Sequence, residues 1–109
     1  MLHTYKVLSQ TALAATTSTD LYTVPAATSA VVSSIVICNR GAVVASVRLS
    51  VAIAGAVLAT SQYIYFDVLM PPNDTLIFTG GVTLATTDKV RGYASTANVS
   101  MTLFGEELS

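Results

Sequence analysis

Six acids, one histidine and one cysteine are the side chains of this 109-residue sequence that could support acid–base, metal or thiol chemistry. Paired-carboxylate hydrolysis needs two acids about 5 to 9.5 Å apart in a cleft. A calcium site needs several carboxylate and carbonyl oxygens gathered by one loop. Asp20, Asp67, Asp74, Asp88, Glu106 and Glu107 contain no D-x-D-x-D run and no spacing that singles out a pair. They read as turn, cap and surface acids. His3, near the N-terminus, has no acid or cysteine beside it, and no serine stands in a G-x-S-x-G nucleophile elbow, so a Ser-His-Asp arrangement is not expected. Cys38 lies in a Val/Ile-rich run and reads as a buried structural thiol. Tyr63, Tyr65 and Tyr93 could stack on a sugar, but aromatic residues on half-buried strands more often line a core or an interface. Asn73-Asp74-Thr75 and Asn98-Val99-Ser100 match the glycosylation sequon and read as turn and strand residues. No catalytic residue, cofactor or metal site is expected.

The elements that would position such residues are strands. In Gly41 to Gly55, GAVVASVRLSVAIAG, the residues Val43, Ala45, Val47, Leu49, Val51 and Ile53 alternate with Val44, Ser46, Arg48, Ser50 and Ala52. Side chains alternate across a strand, so the first set lines an apolar face and the second a more wettable one. At helical spacing the apolar residues would surround the cylinder and strand Arg48 without a polar stripe. The spacing predicts a long β-strand with Val47, Leu49 and Val51 in a core and Arg48 and Ser50 outside it.

Further strands are predicted at Tyr5–Leu13, Asp20–Val24, Ala30–Cys38, Tyr63–Leu69, Thr75–Thr79, Val82–Ala85, Asp88–Ala94 and Asn98–Phe104. In Asp88–Ala94, Lys89, Arg91 and Tyr93 share one face and Val90, Gly92 and Ala94 the other. Asn39-Arg40-Gly41 and Gly80-Gly81 read as hairpin turns, and Gly105-Glu106-Glu107 as the end of the last strand. One domain over residues 1–109 follows: an all-β, antiparallel two-sheet sandwich of jelly-roll type, with an immunoglobulin-like sandwich second because the Cys/Trp core signature is missing.

Composition narrows the partners. Hydrophobic residues make up 52% and charged residues 10%, where an average soluble domain carries about 25% charged. The net charge is −1 and the five cations are scattered, so no nucleic-acid partner is expected. A single cysteine excludes an intrachain disulfide and fits a reducing compartment. The N-terminal residues lack the apolar run of a secretory signal. Leu49 to Phe66 is uncharged over 18 residues, but Ser50, Thr60, Ser61 and Gln62 interrupt it, and no membrane span is expected.

LYTVPAATSAVVSSIVICNRG, YIYFDVLMPPNDTLIFTGG and the closing YASTANVSMTLFGEELS carry a cadence of structural residues. Their pattern, LYTVP, V-S-S-I-V-x-C-N, N-D-T-L and Y-A-S-T-x-N-V-S, resembles small β-rich virion proteins of tailed phages. It is similar to capsid decoration (cement) proteins, or to small subunits of neck and tail appendages. The resemblance implies a virion protein, assembled in the host cytoplasm, whose partner is the major capsid protein or another virion protein. Three function classes stay open: a virion structural protein, a carbohydrate- or receptor-binding module of a phage fibre, and, weakest, an enzyme. An apolar chain of this size is expected to hide surface by forming a homo-oligomer, a trimer first and a dimer second. Val31, Val32, Ile35, Ile37, Tyr63 and Tyr65 supply the candidate interface, with Arg40, Lys89, Arg91, Glu106 and Glu107 at its rim.

Overall fold

Among residues 2–109, which the computed structural model describes, nine strands form. They are β1 (His3–Ala12), β2 (Thr19–Thr23), β3 (Ser29–Asn39), β4 (Ala45–Ala52), β5 (Tyr63–Met70), β6 (Asp74–Phe78), β7 (Val82–Leu84), β8 (Lys89–Ala94) and β9 (Val99–Leu108). One sheet runs β1-β9-β3, with β6 and β7 both on the far edge of β3. The other runs β2-β8-β4-β5. All these pairs are antiparallel, and they nest: β1 with β9, β2 with β8, β3 with β6 and β7, β4 with β5. A long hairpin rolled up so that successive pairs fall in alternate sheets is a jelly roll, and this is one.

Alternation decides what lies between the sheets. Ile35 and Ile37 from β3, Val47 and Leu49 from β4, Val90 and Ala94 from β8, and Val99, Met101 and Leu103 from β9 are all fully buried. The expected two-faced character of β8 is present, with Val90, Gly92 and Ala94 inside. Gly92 lies opposite Leu49, and a side chain there would run into Met101 and Leu21.

Five expectations need correction. The organising strand is shorter at both ends, with Val43 66% and Ile53 78% exposed. Val51 packs against the core as expected but is only half-buried, and Ser50 is only 3% exposed although it faces away from the core. The cause is the β4–β5 loop, which folds back over the outer face. Ala54 N–H donates to Asp88 Oδ1 (2.8 Å), and Arg91, opposite Ser50, donates to Ala56 O (2.8 Å).

Asn39-Arg40-Gly41 is not a hairpin, because β3 and β4 lie in different sheets. Asn39 is instead buried at the crossing. Its Nδ2 donates to Val43 O, Met70 O and Pro71 O at 3.0–3.2 Å, and its Oδ1 accepts from Gly41 N–H. Gly80-Gly81 is not a hairpin either. Phe78 stands opposite Ile35 and Val82 opposite Val32, so the chain continues along β3 with a break, and Gly81 takes φ +71° there. Finally, β9 does not stop at Gly105. A Cβ at Gly105 would overlap the Val31 carbonyl oxygen, so glycine is what lets the ladder run on to Leu108.

The uncharged run Leu49–Phe66 is divided among β4, two short 3-10 turns and β5. No helix among the described residues is long and apolar enough to cross a membrane.

Candidate interaction surfaces

The outer face of the β1-β9-β3 sheet carries a built groove. Opposite Phe104, both neighbours of β9 are irregular. The β1 register shifts between Val7 and Ser9, and the β3 register between Val32 and Ser34. Bulges bend a strand and increase its local twist. Two of them flanking one residue of the central strand open a groove of about 560 Å³, lined chiefly by Tyr5, Val7, Val31, Phe104 and Gly105. Tyr5 is 81% exposed, and Val7 and Phe104 are also solvent-facing. Lys6, Ser33 and Glu106 complete the lining; Lys6 Nζ lies 2.9 Å from Glu107 Oε1, and Glu106 Oε2 lies 3.4 Å from His3 Nδ1.

The outer face of the other sheet is organised by Arg48. Its guanidinium lies between the rings of Phe66 (4.3 Å) and Tyr93 (4.4 Å) and pairs through Nε with Asp67 Oδ1 (2.7 Å). Tyr63 meets Phe66 edge-on at 4.9 Å. Asp67 reaches this position from a left-handed conformation, φ 54°, at the irregular stretch of β5. The stack holds Phe66 in place although it is 55% exposed, and Ile64 and Leu69 extend the apolar strip along the edge strand.

No protein-family model and no curated protein matches this chain.

The candidate interface residues are therefore dispersed. Val32, Ile35 and Ile37 point into the inter-sheet core and are closed to a partner, because the β3 bulge keeps Val32 and Ile35 on the same, inward side. Val31 lines the groove. Tyr63 is on the outer face of the second sheet, whereas Tyr65 turns inward and packs edge-on against Phe78 at 5.6 Å. That separation breaks up the three-tyrosine platform. Arg40 is exposed at the β3–β4 crossing, with Nη2 3.4 Å from Ala97 O. Lys89 and Arg91 both bind Asp20, at 2.9 and 2.8 Å.

Phe66, Arg48, Phe104 and the groove escaped the sequence reading. Tyr5 and Val7 did carry a signal, since they alternate with Lys6, but nothing in the sequence marks the bulges that place them beside Phe104.

Of the two acids expected at the rim, Glu107 ties the sheets together. Its carboxylate accepts the Tyr22 hydroxyl from the opposite sheet and pairs with Lys6, so it ties β2 to β9 and β1. These partners, Tyr22 first and Lys6 second, hold its pKa below the usual value of 4.5. Burial, and then Glu107, push the Tyr22 hydroxyl up, which keeps it a donor. Asp20 is likewise lowered from 3.8, by Lys89 and then Arg91. A carboxyl lowered in the folded state stabilises it above the unfolded pKa, and the contribution is lost as pH falls through the folded one. Denaturant midpoints should therefore hold from pH 7 to about 5 and fall progressively below about 4.5. Glu107→Gln should flatten that acid limb; an unchanged limb would remove Glu107 from the account.

Proposed function

We propose that this chain is a non-enzymatic structural protein of a phage particle, a capsid decoration protein that acts as a homo-oligomer and bridges neighbouring capsid subunits. The observation that carries the reading is the pair of apolar surfaces on opposite outer faces. One is the groove around Tyr5, Val7 and Phe104, and the other is the strip Ile64, Phe66 and Leu69. Exposed apolar area of this kind marks interaction sites, and a cement protein needs two, one toward its own copies and one toward the shell. Lys6 at the groove and Arg48 at the strip are each paired with an acid of the same chain, so apolar groups dominate both surfaces. The phage-protein cadence of the sequence supports the same reading.

Particles lacking the protein should rupture at a lower temperature than complete ones, and adding the purified chain should restore the difference. Equal heat stability with and without it would defeat the decoration role. The reading would then move to a neck, tail or fibre subunit or a receptor-binding module, for which the Tyr63–Phe66 cluster is the starting point.

A further inference from the structure

The β4–β5 loop, residues 53–62, lies over the outer face of the smaller sheet but buries none of its own residues. Val57 is 87% exposed, and Ile53 and Leu58 also face solvent. Among the described residues, the hydrogen bonds that tie the loop to the sandwich come from two charged side chains. Arg91 donates to Ala56 O (2.8 Å) and Gly55 O (3.4 Å), and Asp88 Oδ1 accepts from Ala54 N–H (2.8 Å). Both pins are held from behind: Asp20 accepts from Arg91 Nε, and Asp88 Oδ2 accepts from Ala85 N–H. Against them the closed loop carries two costs. Ala54 sits in the left-handed region, φ 54°, which a residue with a Cβ enters only when its surroundings impose it; such residues cluster at switch segments. Gln62 Oε1 is shut off from solvent and no donor among the described residues reaches it, while Gln62 Nε2 donates to Val57 O (2.9 Å). A buried acceptor without a donor is a penalty that opening would remove.

We infer that residues 53–62 form a two-position strap, pinned shut by Arg91 and Asp88 and able to swing away while the sandwich stays folded. The flanking residues, Ala52 and Tyr63, end the adjoining strands β4 and β5, so the strap moves without breaking a ladder pair. Segments with few buried apolar contacts are where folded chains open locally. Closed, the strap covers Ser50, which is 3% exposed on the outer face opposite Arg91. At its other end Thr60, with Tyr63 and Phe66, lines a cavity of about 230 Å³. Opening therefore uncovers Ser50 and Arg91 together and takes the Thr60 wall away from Phe66. The strap sets how much of this outer face another molecule can reach, and Asp20, which touches no part of it, acts as a positioning residue through Arg91.

Limited digestion of the purified chain with thermolysin, which cuts before large apolar residues, tests this at Val57 and Leu58. When opening and closing are fast relative to cleavage, the rate follows the open population. The parent should be cut slowly and only within residues 53–62. Arg91→Met should be cut at least about tenfold faster, the loss expected for hydrogen bonds from a charged donor. Ala54→Gly keeps both pins and removes the left-handed cost, so it should be cut about two- to fivefold more slowly than the parent. Lys6→Met removes an ion pair from the other sheet and should leave the rate at the loop unchanged. Circular dichroism of all three should match the parent. An Arg91→Met rate equal to the parent's overturns the inference. A faster Ala54→Gly overturns it too, because the loop is then merely flexible, and this variant decides the matter even where Arg91→Met fails to fold. Lys6→Met cut as fast as Arg91→Met also overturns it, because cleavage then reports loosening of the whole sandwich.

Discussion

Gly105→Ala is expected to be the most damaging single-methyl change in the molecule. Gly105 lies in the central strand of the larger sheet, opposite Val32, and an added Cβ would overlap the Val31 carbonyl oxygen. The obstacle is backbone, so no rotamer relieves it. Either the β9–β3 ladder opens at this point or the strand shifts and carries Phe104 and Glu106 with it. Overpacking in cores usually costs about 1–3 kcal/mol. A clash with a ladder carbonyl belongs with the exceptional losses of about 4 kcal/mol or more. For a domain of this size that is a large share of the usual 5–15 kcal/mol, and a fall in Tm of roughly 15 °C or more should accompany it. A loss below about 1 kcal/mol would mean that the two strands are not paired in this register.

Leu49→Ala should cost about 2–5 kcal/mol, because the side chain is fully buried and the site opposite is only a glycine, which cannot collapse into the space. Its neighbour supplies the control. Ser50 is almost as buried, but beneath the loop rather than in the core, and Ser50→Ala removes a single hydroxyl worth at most about 1 kcal/mol. Equal costs at the two positions would contradict the assignment of Leu49 to the core side, since a one-residue slip exchanges the faces. Denaturant unfolding of both variants in the same buffer decides it.

The faces of β4, β8 and β9 could be read from the chain because period-two alternation is a local property, written into consecutive residues. What could not be read is long-range. Asn39 looks like a turn residue in sequence, and only the arrival of Val43, Met70 and Pro71 turns its amide into a clamp between the sheets. Gly105 looks like a strand end, and only the closeness of Val31 makes it a strand interior. The same holds for the candidate surfaces. Val32, Ile35 and Ile37 resemble interface residues while β3 appears apolar on both faces, until the bulge at Ser33 turns all three inward. The groove depends on two bulges on strands far apart in the chain, and the Arg48 stack on a left-handed Asp67; neither has a composition of its own. Charge says least about where a residue is engaged: Lys89, Arg91 and Glu107, expected at a rim, each also pair within the chain.

The central claim is that this chain hides its apolar outer faces against other chains. Sedimentation of the purified chain across micromolar concentrations tests it most directly. The account predicts an assembly of two or more chains, a trimer first. A single species with the mass of one 11.3 kDa chain at every concentration would contradict it.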